Sequence, residues 1–388
     1  MPANSQQDQT QSTSSQSMQI KIHGTGIVYK NSMPHLRSRH AYFPTIVEAE
    51  NGDLVVAMDI GTAFEAIDVR SYVCRSSDSG KSWTEPMQLF EPNQSSHPVS
   101  TSCRMGKLDD GTLLGWAGLF NRTREHEGLA NPSTEGFCSV DYATIQSLDG
   151  GNSWSELRSV ELPHAWDCFE VCAPPFQVSE NRLLVVTHPF LDWNGWPSPW
   201  GRNGLALEST DNGSTWANIK PTFSDPNAEL AFYESALTRL SDGRILAMCW
   251  TMDANQGKSL NNHLAISSDD GRNFEIQQST LLKGETCRPI GIENNHVLVV
   301  YRRVDKQGLW ARLASVGDPN LKSIDEKLLW GGNVESHRTD LDSHLAQLST
   351  LKFGCPAVVK LQDGDIFIVF WAVEDCCSVI RWFRISID

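Results

Sequence analysis

Four eight-residue passages repeat along this chain: SSDSGKSW from Ser76 to Trp83, SLDGGNSW from Ser147 to Trp154, STDNGSTW from Ser209 to Trp216 and SSDDGRNF from Ser267 to Phe274. Each reads Ser-x-Asp-x-Gly-x-x-aromatic. Chemically this is a tight turn, in which the Asp carboxylate accepts backbone N–H groups and Gly takes a positive φ. The closing ring folds back over the turn and buries a large apolar face, so Trp83, Trp154 and Trp216 are expected to be buried and structural. One such passage constrains little. Four of them, about 60 to 70 residues apart, require a fold assembled from a repeated unit.

A second repeat counts the units. Apolar runs that follow a polar turn recur as NGDLVVAM from Asn51, DGTLLGWA from Asp110, ENRLLVVT from Glu180, DGRILAMC from Asp242, NNHVLVVY from Asn294 and DGDIFIVF from Asp363. Each is preceded by another short apolar run, as in FPTIVEAE, SALTRL and CPAVVKL, and the pair reads as a β-hairpin. Six copies predict an all-β, six-bladed β-propeller of four-stranded antiparallel blades. The Ser-x-Asp turns would close the outer hairpins of blades one to four. Blade five is expected to continue in QGLWARLASVG, after Lys306. In blade six SVIRWFRISI, from Ser378, reads as the third strand, and MQIKIHGTGIVY, from Met18, would add the outermost strand and close the ring.

No linker interrupts the repeats, so residues 18–388 read as one propeller. Residues 1–17, rich in Gln, Ser and Thr, carry no apolar pattern and are expected to be a disordered tail. They lack the basic start and apolar run of a secretory signal, and no stretch reaches the roughly 20 apolar residues that span a bilayer, so a cytoplasmic location is expected. A formal charge of −15 disfavours nucleic acid and anionic membranes as partners. The 10 Cys form no spaced framework and are expected to be free, mostly buried thiols, with only one of Cys376 and Cys377 buried. No zinc spacing, calcium loop or phosphate-cradling Gly loop is present, so neither metal nor cofactor is expected.

The innermost strands of a propeller begin at one mouth of its central channel, where positions remote in sequence converge. The starts of the inner strands supply Arg37, Arg39, His40 and Tyr42 in blade one, then His97 and Arg104 in blade two. Blade three supplies His164, Asp167 and Glu170, and blade four Glu229, Tyr233 and Glu234. Glu285 and Arg288 come from blade five and Lys352 from blade six. Neighbouring loops add Asp59, Glu65, Asp68, Arg70, His188, Arg302, Arg303, Glu374 and Asp375. So many ionisable groups in one place are costly unless they pair or face a ligand. Strand alternation implies that only one of Tyr233 and Glu234 faces the channel. The loop HPFLDWNGWPSPWGRN, from His188, offers three Trp either as stacking faces for sugar rings or as a rigid cover.

Ser-x-Asp-x-Gly-x-x-Trp is the Asp-box, or bacterial neuraminidase repeat, and nearly the whole chain resembles the sialidase superfamily of six-bladed propellers. The resemblance implies an Arg before Ile-Pro in the first inner strand, a Glu in the fourth, Arg residues after the fourth and in the fifth, and a nucleophilic Tyr in the sixth. An early loop would supply an acid/base Asp. Here YESALTRLSDGRIL puts Glu234 in the Glu position and CRPIGI puts Arg288 in the fifth-strand Arg position. AYFPTIV has Phe43 in place of the first Arg, Trp250 ends the strand where the second Arg is expected, and FGCPAVV has Gly354 and Cys355 in place of Tyr. Without that Tyr the usual covalent intermediate has no residue to form on. Without two Arg the clamp on a sialic carboxylate is incomplete.

These residues lead to an exo-glycosidase-like enzyme that cleaves a terminal glycosidic bond, with an acidic-sugar or oligosaccharide substrate, and that is not a standard sialidase. Glu234, Asp68 and His40 are the catalytic candidates, with Glu65 as the alternative to Asp68. Arg37, Arg39, Arg104, Tyr233, Arg288, Arg302 and Trp250 are the substrate-binding candidates. Glu234 and Arg288 are expected to meet at the mouth, either as an ion pair or on one shared ligand. Two other readings stay open: a non-catalytic propeller that binds a glycan or protein, and a lyase acting on a uronate-containing glycan. Cys355 reads as a core thiol rather than a nucleophile. The turn carboxylates Asp78, Asp149, Asp211 and Asp269 belong to the outer rim.

Overall fold

The computed structural model describes residues 18–388 apart from 93–96, 124–125, 163–165, 318–320 and 338–343. The expected tail over 1–17 lies outside the described residues, as does His164. The described residues form six antiparallel sheets, the blades of a propeller. Blade one comprises His40–Glu48, Leu54–Gly61, Arg70–Ser76 and Met87–Gln88, from the axis outwards. Blade two comprises Val99–Lys107, Leu113–Asn121, Val140–Ser147 and Arg158–Val160. Blade three comprises Phe176–Ser179, Arg182–Thr187, Gly204–Ser209 and Asn218–Phe223. Blade four comprises Leu230–Arg239, Ile245–Asp253, His263–Ser267 and Ile276–Ser279, with the short strand Lys258–Ser259 attached. Blade five comprises Gly284–Ile292, His296–Arg303, Leu309–Val316 and Leu321–Trp330.

Blade six joins the two ends of the chain. Phe353–Lys360, Ile366–Glu374 and Cys377–Ile387 are completed by Ile20–Tyr29, which pairs antiparallel with Cys377–Ile387 from Ile20 opposite Ile387 to Tyr29 opposite Ile380. The ring is closed by the N-terminal strand, as the repeat count predicts. Without it the third strand of blade six would present a bare edge.

The apolar runs of the second repeat are the second strands, and their unbroken hydrophobicity has a simple cause. Leu54–Gly61, Arg182–Thr187 and most of Ile366–Glu374 are buried on both faces, because each lies between neighbouring blades. No helix among the described residues is long and apolar enough to cross a membrane.

The four repeated turns share one set of hydrogen bonds. In the first, the Ser76 hydroxyl donates to the Asp78 carboxylate at 2.8 Å, accepts from Gly80 N at 2.8 Å, and Ser82 N donates to Asp78 at 2.9 Å. The same three bonds recur about Asp149, Asp211 and Asp269. Hydrogen bonds from Ser82 and Ser153 hold Asp78 and Asp149 down at about 2. The rings are less uniform than expected. Trp216 is fully buried against Trp116, with centroids 4.9 Å apart, whereas Trp83 and Trp154 are only half-buried. Trp83 instead turns its indole N–H to Gly80 O at 3.1 Å and packs beside Phe367 of blade six.

One irregularity of the inner strands shapes the channel. In blades one, four, five and six the pairing slips between Tyr42 and Thr45, Tyr233 and Ala236, Glu285 and Arg288, and Gly354 and Ala357. Each slip holds a non-glycine residue at positive φ: Phe43 at 50°, Glu234 at 49°, Thr286 at 52° and Cys355 at 46°. Such a bulge opposes two residues to one and re-aims a side chain that regular alternation would send away.

Candidate functional site

The bulged steps of blades one, four and six line a cavity of about 820 Å³, together with inner-strand residues of the other blades and the loops around 126–137 and 188–190. Its charged groups are six carboxyls (Asp59, Glu65, Glu127, Glu135, Glu170 and Glu234) and three guanidinium groups (Arg104, Arg288 and Arg302), with His126 at an exposed position.

Glu170 and Glu234 are joined by a hydrogen bond. Glu234 N donates to the Glu170 carboxylate at 3.1 Å, and Glu170 N donates to His188 O at 2.9 Å. The positive φ of Glu234 points its own carboxylate towards blade five, where it accepts from Thr286 N at 3.0 Å. Burial pushes the Glu170 carboxyl up, and the neighbouring charge of Glu234 pushes it further. Burial also raises Glu234, but the positive charges of Arg302 and Arg288 oppose that rise. The balance therefore differs: at Glu170 the like charge of Glu234 comes ahead of the opposing Arg288, whereas at Glu234 the cations Arg302 and Arg288 come ahead of the like charge of Glu285.

The arginines are engaged by the protein. Arg302 is fully buried and pairs with the buried Glu285 at 2.5 Å. A Cβ on Gly354 would stand 2.3 Å from its Nη1, so Arg302 occupies the space that any larger residue at 354 would need. Arg288 donates to the carbonyls of Cys172 at 2.8 Å, Cys287 at 3.1 Å and Glu234 at 3.3 Å. Arg104 pairs with Asp59 at 3.2 Å, donates to Phe43 O at 3.0 Å and lies over the Phe43 ring, 5.0 Å from its centroid. Asp59 also accepts from Ser71 and Ser102, at 2.9 and 2.5 Å.

The sequence candidates thus divide. Glu234, Tyr233, Trp250, Arg104, Arg288 and Arg302 are brought together at the cavity. Tyr233 and Glu234 both line it, against the alternation rule, because the bulge falls between them and Ala236. Glu234 and Arg288 line one cavity, without the His40 expected beside them, and the guanidinium donates to the Glu234 carbonyl. Asp68, His40, Arg37 and Arg39 do not line the cavity. Asp68 is exposed and accepts from Thr62 N and its hydroxyl at 3.1 and 2.9 Å, closing its own loop. Glu65 takes the inward position instead: its carboxylate accepts from Leu129 N at 2.8 Å, and burial pushes it up. His40 Nδ1 accepts from Ser378 N at 3.1 Å and its ring stacks on Tyr42. Arg37 is exposed, and Arg39 donates to Tyr72 on the third strand of blade one at 3.1 Å. Cys355 lines the cavity with a thiol that burial pushes up to about 11, which keeps it protonated. Among the described residues no group of three or more His, Cys, Asp or Glu is arranged to hold a metal ion.

No family model and no curated protein matches the chain. Solved structures do. A protein of unknown function from Dyadobacter fermentans is 20% identical, with a TM-score of 0.68 over 95% of this chain and 99% of that one. The α-L-arabinanase of Penicillium chrysogenum, complexed with arabinobiose, is 15% identical, with a TM-score of 0.61 over 89% and 93%. The NanB sialidase of Streptococcus pneumoniae is 12% identical, with a TM-score of 0.61 over 93% and 70%. The likeness is one of fold. It joins this chain to six-bladed propellers that include glycoside hydrolases.

Glu170 stood in the sequence among the polar residues before the third inner strand, without a feature to single it out. That strand, Phe176–Ser179, is only four residues long and begins after Glu170, so no repeat marked the position. Phe120, Phe137 and Phe190, which also line the cavity, were equally silent, because two of them lie in loops.

Proposed function

We propose that this protein hydrolyses a terminal glycosidic bond with Glu170 as general acid and Glu234 as nucleophile. The observation that carries the reading is the hydrogen bond from Glu234 N to the Glu170 carboxylate, which sets two glutamates side by side in one cavity lined by Arg288 and Arg302. Glu170, beside a like charge, retains its proton and delivers it to the glycosidic oxygen as the bond to the anomeric carbon breaks. Glu234, whose ionised form Arg302, Arg288 and the Thr286 N–H favour against the upward push of burial, attacks that carbon and forms a glycosyl ester. Water then enters, gives its proton to Glu170 and releases Glu234.

The sugar in this reading is uncharged. Six carboxyls outnumber three guanidinium groups in the cavity, and each guanidinium already holds a carboxylate or backbone carbonyls. An acidic sugar, the preference suggested by the arginine content of the sequence, would enter against that field. The arabinanase and sialidase likenesses support sugar chemistry in such a channel without choosing between substrates. The test is a panel of neutral and acidic glycosides assayed on wild-type, Glu170→Gln and Glu234→Gln protein. Turnover of a neutral glycoside that falls by on the order of 10² or more in each variant supports the assignment. Full activity in either variant, or efficient release of sialic acid by the wild type, refutes it.

A further inference from the structure

The wall of the cavity contributed by blades two to four is a chain of rings. Phe120 meets Phe137 at 6.1 Å between centroids, and Phe137 stacks on Phe190 at 4.6 Å. Phe190 meets the buried His188, which lies behind the lining, at 5.5 Å, His188 meets Tyr233 at 4.2 Å, and Tyr233 meets Trp250 at 5.4 Å. The arc runs alongside both glutamates in the backbone, since Glu170 N is bonded to His188 O and Glu234 follows Tyr233. Across the cavity Phe43 and Phe64 form a second aromatic face, 5.1 Å apart.

This wall offers faces and few donors. The backbone N–H groups of Leu129, Phe137 and Phe190 are spent on the Glu65 carboxylate, Leu191 O and Cys168 O. The polar side chains that the same loop brings to the cavity are open to solvent to different degrees: His126 and Glu135 are exposed and Glu127 is half-buried. A second sugar against this wall would leave hydroxyls unpaired, at about 1–3 kcal/mol each. A flat apolar group would lose nothing and would cover the rings on one side or both.

We infer that this wall is a subsite for an aromatic aglycone, so that the substrate is an uncharged sugar carried on a benzyl-like group. The inference rests on the glycosidase reading above. It is tested by comparing benzyl and methyl glycosides of the same neutral sugars, because the two alcohols leave with nearly equal ease and differ only in the ring. The wild type is expected to show a kcat/KM about tenfold or more higher for the benzyl compound, within the range a well-fitted apolar group supplies. That ratio should fall towards one in Phe190→Ala and Phe137→Ala and persist in Phe190→Leu. Equal rates in the wild type, or a preference for a disaccharide of the same sugar over its benzyl glycoside, would overturn the inference and leave the glycosidase reading standing. If no glycoside is cleaved, the glycosidase reading fails, and calorimetric titration with benzyl alcohol decides the subsite. Saturable binding that Phe190→Ala abolishes supports the aromatic subsite, and absence of binding overturns it.

Discussion

Replacing Trp216 with Ala probes the packing of the repeated turns. A Trp of which 1% is exposed removes about 250 Å² from water, worth about 6 kcal/mol at 25 cal/mol per Å². Residual compactness of the unfolded chain trims this by about 10–40%. Its indole N–H is buried without a hydrogen-bond partner, and deleting that group returns about 1–3 kcal/mol. The net loss is then about 2–4 kcal/mol, near the lower end of large-to-small changes in cores. For a chain of 388 residues, with an unfolding entropy of about 2.1 cal/mol/K per residue, this corresponds to a Tm lower by about 3–5 °C. Differential scanning calorimetry of Trp216→Ala, Trp83→Ala and Trp154→Ala reads it directly. The half-buried Trp83 and Trp154 should each cost roughly half as much, since less area is withdrawn from water. Trp216→Phe should be the mildest, because it keeps an apolar ring and removes the unpaired N–H. A Trp83 variant that melts below the Trp216 variant would refute the reasoning, as would a Trp216 variant that keeps its Tm and loses only turnover.

Other expectations follow from the same geometry. Turnover should have a bell-shaped pH profile whose limbs lie above the pH of an exposed carboxylate pair, since both Glu170 and Glu234 are raised, and Glu170→Gln should remove the alkaline limb. Because the folded pKa of Glu170 exceeds its unfolded value of about 4.3, the wild type loses stability as pH rises from there through the folded pKa. The Tm of Glu170→Gln relative to wild type should therefore increase between pH 5 and pH 8, and a constant difference would contradict it. Gly136→Ala would set a Cβ 1.7 Å from Asp192 O, so the loop must shift, and kcat/KM for any accepted glycoside should fall with little change in Tm. Deleting residues 1–30 removes the strand paired with Cys377–Ile387, and gel filtration should show association through the exposed edge rather than a stable monomer.

The architecture was legible because repetition is a long-range signal. Six apolar runs and four turns counted the blades, and the surplus N-terminal run before Tyr29 had an unfilled place to go. The site was legible only in part. Glu234 and Arg288 lie on long inner strands whose motifs could be aligned with one another. Asp68 and Glu65 sit three residues apart in a loop, and nothing in the order of residues says which one Leu129 N will meet. His40 was misread for a related reason: it lies at the start of an inner strand, but the bulge that re-aims side chains comes after it, at Phe43. Alternation also failed at Tyr233 and Glu234, because a left-handed step at a glutamate has no signature as plain as a glycine.

That left-handed step has a further meaning. Holding a residue other than glycine there costs on the order of 1–3 kcal/mol, and the ring does so four times around its axis. Phe43, Glu234, Thr286 and Cys355 are thus equivalent sockets on a common mount, and those holding Phe43, Glu234 and Cys355 open on the cavity. Only one of them carries an ionisable acid. The chemistry of this channel is therefore a matter of which socket is filled with what, since the same backbone step recurs whatever side chain it carries.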